Sequence, residues 1–394
     1  MNQSTTRNSL LATIALAGLT IYILACSGPS FSPDDSKIGF PAFDPRSGEL
    51  GVSVLDRKSG RVETVFTMSV ITDLEKPEYG AQILRHQWLD NNRLIIGWPG
   101  AGNREKGLNV MVLPLGGKGA ARLWQIPELG EMQETMIRPL AVAGSGLFVV
   151  AESNGVARLD LETGRVVSHA CRGEKFLLYP SGQADFVFYG AELSDQDGKV
   201  EFGKLNAADF TQSALLTLEK SRISKGMPLA ISADGQQVAV VLEQGGKCQA
   251  LLARAGQAER TMPVAAKGES LELGGLGFSV KGDKLFASFL RSAEAETNKT
   301  CGLLEIPIDG GAAQRTMLFT GPEKMDNDLA MYLQFGLSHD GNSVALCSTY
   351  LFGEVKEGQK TESGCALYLI DVSKAPHVVS KVPLALPKEG HSFK

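Results

Sequence analysis

One short sequence motif occurs seven times along the chain and restricts its fold more than any other feature. Each copy has an apolar residue, a turn and then alternating apolar positions, and the best copies have Ser directly after the first apolar residue. Asp-Gly, Asn-Asn and Ser-Gly in these turns tolerate positive φ, as tight hairpins require. The clear copies are FSPDDSKIGF (31–40), ISADGQQVAV (231–240), FSVKGDKLFA (278–287) and LSHDGNSVAL (337–346), and the weaker ones are WLDNNRLIIG (88–97), VAGSGLFVVA (142–151) and YPSGQADFVF (179–188).

The spacing of these copies predicts the architecture. They start at residues 31, 88, 142, 179, 231, 278 and 337, so the steps are 57, 54, 37, 52, 47 and 59 residues. Propeller blades repeat at roughly 40 to 50 residues, and each is a four-stranded antiparallel sheet. We therefore predict an all-β fold, a seven-bladed β-propeller of four-stranded antiparallel blades over residues 31–386, with a tail at 387–394. A pair of β-sandwiches is the alternative.

The second half of each predicted blade also has a recognisable pattern. LGVSVLDRKSG (50–60) followed by RVETVF (61–66) has the strand, turn, strand order that the outer half of a blade needs. Side chains alternate across a strand, so Val52 and Val54, like Val62 and Phe66, are expected to face a neighbouring blade. Charged segments without alternation, such as 73–85 and 128–138, are interpreted as long connections between blades, where binding residues are commonly placed. Further excursions within blades are expected at 192–200, 291–300 and 351–364.

The clearest copies resemble a known repeat. FSPDDSKIGF (31–40) is similar to the xSPDGxxIAF signature of the TolB-type, WD40-like propeller repeat, and residues from about 28 to 386 can be laid out as seven such units. The copies depart from the signature at Asp35, which replaces the expected Gly, at Lys281-Gly282 and at His339-Asp340. The resemblance implies the propeller fold. It implies little about function, because the signature shapes a turn.

The N-terminal residues differ from the rest of the chain. A single cation, Arg7, precedes an uncharged apolar stretch from Leu10 to Ala25. This stretch matches the apolar region of a signal peptide and is short for a membrane-spanning helix. Residues 1–25 are therefore predicted to be a signal peptide or an N-terminal anchor, and they are excluded from the predicted fold.

The apolar stretch ends at a cysteine. Ile23-Leu24-Ala25-Cys26 resembles the lipobox of bacterial lipoproteins, in which the cysteine is acylated and becomes the mature N-terminus. The resemblance implies lipidation at Cys26, a short tether over 26–30, and a membrane-anchored location in the bacterial cell envelope, facing the periplasm or the outside. An uncleaved anchor and an ordinary secretory signal are the alternatives.

The other five cysteines form no metal-binding pattern. No CxxC or Cys/His spacing typical of zinc is present. Cys248, Cys301 and Cys365 occupy the same place in three successive repeats, which is too far apart for the roughly 4.4 to 6.8 Å between the Cα atoms of a disulfide. Cys347 and Cys365, on neighbouring predicted strands, are the one pair considered for a disulfide, with buried thiols as the alternative. Cys171 has no predicted role.

Charge and motifs exclude several function classes. The net charge is −5 and no long Lys/Arg cluster is present, which argues against nucleic acid as a partner. No P-loop, GxGxxG or GxSxG motif occurs. Asp326 and Asp328 offer too few oxygens for calcium. We therefore predict no catalytic residue, no metal site and no cofactor.

Two functional hypotheses remain open. The first is a non-catalytic envelope scaffold that engages a protein or a periplasmic ligand through loops at a channel mouth. The second is a propeller enzyme of the lyase or lactonase type, which would require groups such as His86, Asp326 and Asp328 to converge at the channel mouth. The remaining histidines, His169, His339, His377 and His391, are dispersed over the chain.

Overall fold

The computed structural model describes most of the chain between residues 28 and 383, and its strands form seven separate four-stranded sheets. Each sheet uses four strands that are consecutive in the chain, and neighbouring strands are antiparallel. The predicted seven-bladed propeller is therefore confirmed. The described residues are 28–44, 49–69, 85–99, 108–117, 119–126, 140–151, 155–193, 198–223, 229–244, 247–254, 257, 259–264, 269–293, 298–322, 333–348 and 366–383.

The blades follow the order of the chain. Blades 1 to 4 comprise β1 (Ser30–Phe31), β2 (Lys37–Asp44), β3 (Glu49–Asp56), β4 (Val62–Ser69); β5 (Arg85–Asp90), β6 (Arg93–Pro99), β7 (Leu108–Pro114), β8 (Arg122–Ile126); β9 (Ala141–Ala143), β10 (Gly146–Ala151), β11 (Gly155–Asp160), β12 (Val166–Ala170); and β13 (Glu174–Tyr179), β14 (Phe186–Glu192), β15 (Lys199–Asn206), β16 (Gln212–Glu219). Blades 5 to 7 comprise β17 (Leu229–Ile231), β18 (Gln237–Gln244), β19 (Lys247–Arg254), β20 (Arg260–Pro263); β21 (Glu269–Phe278), β22 (Lys284–Ala293), β23 (Asn298–Pro307), β24 (Gln314–Pro322); and β25 (Leu333–Leu337), β26 (Ser343–Ser348), β27 (Ala366–Asp371), β28 (Val378–Pro383).

The repeated motif forms the inner hairpin of every blade. Its first apolar residue lies in the first strand of the blade, as Phe31 does in β1, and its alternating part forms the second strand. First strands of neighbouring blades contact one another, for example β17 with β21 and β21 with β25, so they line the centre of the ring. In the described residues, helix is limited to a 3-10 turn at Lys220–Arg222, and no helix is long and apolar enough to cross a bilayer.

Three predicted loop boundaries are wrong in detail. The excursion expected at 192–200 is shorter, because β14 continues to Glu192 and β15 begins at Lys199. The excursion expected at 291–300 is shorter, because β22 continues to Ala293 and β23 begins at Asn298. Arg85, expected in a connection, is the first residue of β5 and is buried. In all three places charged residues occur within a strand, so charge alone misplaced the strand ends.

The Ser and Asp of the repeat close the turn between the first two strands. In blade 5 the Ser232 hydroxyl donates to Asp234 Oδ1 at 2.5 Å and accepts the amide of Gln237 at 2.9 Å. Asp234 Oδ1 also accepts the amide of Gln236 at 2.9 Å, and these hydrogen bonds lower the pKa of Asp234. The same contacts recur in blades 1 and 7 around Ser32 and Ser338. The Ser and Asp of the signature therefore make their hydrogen bonds within the turn.

Blade 6 reaches the same turn with a different residue. Lys281 stands where the signature has Asp, and the Ser279 hydroxyl donates instead to Asp283 Oδ1 at 2.7 Å. The hydroxyl oxygen of Ser279 still accepts the amide of Lys284 at 3.1 Å. The departure from the signature therefore moves the carboxylate by two positions and keeps the turn.

The hydrophobic core lies between blades. One cluster joins blade 1 to both of its neighbours through Val52, Val54 and Val62, with Trp88 from blade 2 and Leu367 from blade 7. Phe66 packs against this cluster in a partly buried position. The predicted orientation of these side chains toward neighbouring blades is therefore confirmed.

Blade 1 and blade 7 are joined by side chains, since neither sheet takes a strand from the other. At their junction the Asp35 carboxylate accepts hydrogen bonds from the amides of His339 and Asp340, each at 2.8 Å, and lies 2.9 Å from His339 Nδ1. Arg57 donates to the Asp35 carbonyl and to the Ser343 hydroxyl. We call this set of contacts the Asp35 latch.

The latch explains why Asp replaces Gly in the first repeat. Asp35 has φ of 57°, and the equivalent turn residues Gly235, Gly282 and Gly341 have φ of 64°, 67° and 73°. A non-glycine residue in this left-handed region is unfavourable unless its side chain makes compensating contacts. At Asp35 these contacts are the hydrogen bonds to the last blade.

We expect Asp35→Gly to destabilise the protein although it restores the residue of the signature. Glycine removes the backbone strain but also the carboxylate, and losing charged hydrogen bonds should lower the free energy of unfolding by about 2 kcal/mol. Asp35→Asn keeps an acceptor oxygen and tolerates positive φ, so its loss should be smaller. Urea unfolding checks both variants, and a glycine variant as stable as the natural protein would contradict the role of the latch.

Candidate functional site

The two faces of the ring are built differently. The turns between first and second strands and those between third and fourth strands lie at one face, which we call the tight-turn face. Each of these turns has at most seven residues, as in 32–36 and 57–61. The connections between second and third strands and those between blades leave from the opposite face, which we call the long-connection face.

Long connections are concentrated on one side of the ring. Four connections at the long-connection face have ten residues or more, and all of them start or end in blades 7, 1 or 2. They run over 70–84, 127–140, 323–332 and 349–365. Connections in blades 3 to 6 are shorter, for example 152–154 and 245–246. The long-connection face of the ring is therefore asymmetric, although the blades repeat almost regularly.

Polar groups of the tight-turn face are largely bound to one another. Neighbouring turns are linked through hydrogen bonds from one blade to the next, as in Gln237 Nε2 to the Gly282 carbonyl at 3.2 Å. Further links of this kind include Asp34 N to Asn91 Oδ1, Lys204 Nζ to the Asp234 carbonyl, Arg93 to Glu162 and the Asp35 latch. These groups hold the ring together.

Blades 3 and 4 leave a cleft of about 400 Å³ at the tight-turn face. Ser145, Arg158, Asp160, Asp185 and Asn206 contribute its polar lining. Asp160 Oδ1 accepts the amide and hydroxyl of Thr163, and these bonds lower the pKa of Asp160. Part of the polar lining of the cleft is thus already hydrogen-bonded within turns.

His86, the histidine in the enzyme hypothesis, is buried between blades 1 and 2. Its ring lies against Gly39 and has a hydrogen bond with the Gly39 backbone. Burial lowers the pKa of His86 from 6.5 to about 4, and the neighbouring Arg85 charge acts in the same direction. A neutral imidazole with 1% of its surface exposed supports packing and is inaccessible to a ligand.

The other predicted residues are not brought together in the described structure. Cys26, Asp326, Asp328, Cys365 and His391 lie outside the described residues. Cys347 is buried in β26 with Leu367 opposite it on β27, so its disulfide with Cys365 stays a prediction. Among the described residues, no group of three or more His, Cys, Asp or Glu side chains could hold a metal ion.

The remaining histidines have separate neighbours. His169 stacks on Phe210 with ring centroids 5.3 Å apart, and His339 belongs to the Asp35 latch. His377 Nδ1 lies 2.7 Å from the Thr316 hydroxyl, and its Nε2 lies 3.3 Å from Glu305 Oε2. Convergence with His86 is therefore not seen in the part of the ring that the structure describes.

Sequence reasoning missed two buried carboxylates. Glu305 is 4% exposed and bridges blades 6 and 7, because Lys284 Nζ lies 2.9 Å from its Oε1 and His377 from its Oε2. Glu201 accepts a 2.6 Å hydrogen bond from the Tyr189 hydroxyl, and burial raises the pKa of Tyr189. A Glu inside a strand of apolar residues was the available signal, but its partners are distant in sequence.

Comparison with known proteins gives the fold of the chain. No family model and no curated protein sequence matches it. The solved structures include TolB from Acinetobacter baumannii, with 13% identity over 74% of this chain and 66% of that chain and a TM-score of 0.43. The β-propeller domain of Cps50 (Swd1) from Myceliophteria thermophila has 9% identity over 88% of this chain and 96% of its own, with a TM-score of 0.52.

A prolyl endopeptidase also matches, with 14% identity over 82% of this chain and 46% of that chain and a TM-score of 0.51. The similarity is one of fold. The chain spans less than two thirds of the TolB chain and less than half of the endopeptidase chain. Propellers with different functions therefore share this architecture, and function must be argued from the site.

We expect the burial of His86 to make stability depend on pH between about 6.5 and 4. The folded pKa lies below the unfolded one, so the unfolded chain binds the proton first. This contribution is fully present above pH 6.5 and is lost as the pH falls toward 4, for a total of about 3 kcal/mol. Urea unfolding at pH 7, 6, 5 and 4 measures it.

His86→Gln should be less stable at pH 7, because the buried packing changes, but should lose less stability between pH 6.5 and 4. His169→Gln provides the control at an exposed histidine and should keep the natural pH dependence. An unchanged slope in His86→Gln would show that His86 does not cause it.

Proposed function

We propose that the chain is a non-catalytic scaffold of the bacterial cell envelope. In this proposal a membrane-tethered propeller engages an envelope protein or a periplasmic ligand through the long-connection face. The observation that carries the proposal is the concentration of long connections around blades 7, 1 and 2 on an otherwise near-regular ring. Binding residues on rigid scaffolds are commonly placed in such connections.

The construction of the opposite face supports this choice. At the tight-turn face the Ser and Asp of the repeat bind within their own turns, and links such as Gln237 to Gly282 join one turn to the next. A surface whose polar groups already have partners inside the protein must break those bonds to recognise a ligand. The long-connection face is therefore the better candidate for recognition.

The proposed location rests on the N-terminal sequence. The lipobox-like Ile23-Leu24-Ala25-Cys26 and the apolar stretch before it favour export, with lipidation at Cys26 as the specific proposal. Residues 1–25 would then be the signal and 26–30 the tether. One acyl chain gives only marginal membrane binding, whereas the several chains of a bacterial lipoprotein give stable anchoring.

We expect mass spectrometry of the mature protein to find an acylated Cys26 as its first residue. Cys26→Ser should abolish the modification, because the hydroxyl cannot form the thioether. A mature chain that begins at Met1 would refute lipoprotein maturation and favour an uncleaved anchor. A chain that begins with an unmodified residue would indicate an ordinary secretory signal.

We expect mild crosslinking and affinity capture from envelope fractions to recover a defined partner. Replacing 73–84 and 323–332 by Gly/Ser segments of equal length should abolish its recovery, while the strands that follow, beginning at Arg85 and Leu333, stay unchanged. The matched control replaces the exposed tight-turn residues Lys58, Lys281 and Asp309 by Ala and should keep the partner. Loss in the control alone would contradict the proposed face.

Two substitutions within 323–332 test the enzyme alternative. A lyase or lactonase would convert a small substrate in the absence of any protein partner, and Asp326→Asn with Asp328→Asn would remove that activity. Turnover by the purified full chain that these substitutions abolish would replace the scaffold proposal. Capture of a partner by a chain without turnover supports it.

A further inference from the structure

The position of the first strand restricts how an anchored propeller can stand on a membrane. β1 is only two residues long, and Ser30 pairs with Gly39 while Phe31 pairs with Ile38. β2 then continues from Gly39 to Asp44, toward the long-connection face. The chain therefore enters the ring at the inner strand of blade 1, below the rim of the long-connection face.

The chain before β1 is held inside the ring. Pro29 is buried, and a Cβ at Gly336 in the inner strand of blade 7 would overlap the Pro29 carbonyl. The Ser30 carbonyl accepts the indole N–H of Trp88 from blade 2 at 2.9 Å. Contacts with blades 7 and 2 thus fix the chain on both sides, and β1 runs from the long-connection face toward the tight-turn face.

Covalent geometry then limits where Cys26 can be. Cys26 precedes Ser30 by four positions, and these four steps along the chain span about 14 Å at most when fully extended. The five residues of β2 beyond Gly39 span about 17 Å. An anchor at Cys26 therefore reaches no further than about the end of β2, at the rim of the long-connection face.

We infer that the long-connection face is turned toward the membrane and held at its surface, with the tight-turn face pointing away. This inference rests on the proposed anchoring of the N-terminus. It holds for acylated Cys26 and for an uncleaved apolar segment ending at Ala25, because both place the bilayer next to the same four residues. A partner that meets the long connections is then a membrane-resident protein.

Two labels in one part of the ring test the orientation. Ser221 is exposed in the 3-10 turn at the long-connection face, and Ala233 is exposed in the tight turn of blade 5. The eight residues of β18 separate the two levels by roughly 26 Å. A fluorophore is attached through an unnatural amino acid at either position of the full, membrane-anchored chain in vesicles with nitroxide-labelled headgroups.

We expect headgroup nitroxides to quench the label at position 221 at least about twofold more than the label at 233. Quenching decreases with distance from the headgroups, and the two labels differ in height by about the length of a strand. Equal quenching, or stronger quenching at 233, would overturn the inference. A control with about 20 Gly/Ser residues inserted after Ser27 gives the tether a span of roughly 25 Å and should remove the difference. A difference that persists would show that the tether does not set the orientation.

Two further measurements on the same vesicles test the anchor separately from the orientation. Mass spectrometry reports whether the N-terminus carries lipid or the apolar segment, and flotation reports whether the chain stays on the vesicles. A chain without either anchor that does not float refutes the proposed tether and the inference that rests on it. An anchored chain with equal quenching refutes only the orientation.

Discussion

In the described residues, side-chain contacts join the first and last blades without a shared strand, and the closed ring depends on that junction. Neither sheet shares a strand with the other, so the backbone hydrogen bonds that hold each blade do not cross it. A cluster with Val52 from blade 1 and Leu367 from blade 7 supplies apolar packing, and the Asp35 carboxylate supplies directional bonds to His339 and Asp340. Burial of apolar surface is not directional, so the hydrogen bonds fix the register of the two blades.

The repeated motif has a structural role in the blades where it is clearest. Its Ser and Asp satisfy the amides of a tight turn, and the low pKa of Asp34, about 2, results chiefly from the Ser32 hydroxyl. Such a carboxylate is a stable acceptor at neutral pH and is already bound. The signature thus identifies a way of building blades, and propellers with different functions can share it.

Asymmetry enters through the connections. A ring of similar blades has two faces, and only one of them carries the lengthened segments around blades 7, 1 and 2. The N-terminal strand enters the ring between blades 7 and 2, on the same side. The proposed anchor and the proposed recognition surface therefore lie at neighbouring places in the fold, which joins membrane attachment to partner choice.

The sequence by itself determined the number of blades, the hairpin at the start of each and the orientation of residues such as Val52 and Val62. These follow from local chemistry: turn residues tolerate positive φ, and side chains alternate along a strand. The sequence also marked Asp35 as a departure from the repeat signature, without a reason for it.

Only the tertiary structure decided which distant residues meet. Asp35 and His339 are 304 positions apart, and Glu305 meets His377 from the next blade. The level at which β1 enters the ring depends on pairing with β2 and on contacts with two other blades. Such contacts are set by the closure of seven sheets into one ring, which no local pattern encodes, and they decide where an anchor at Cys26 can lie.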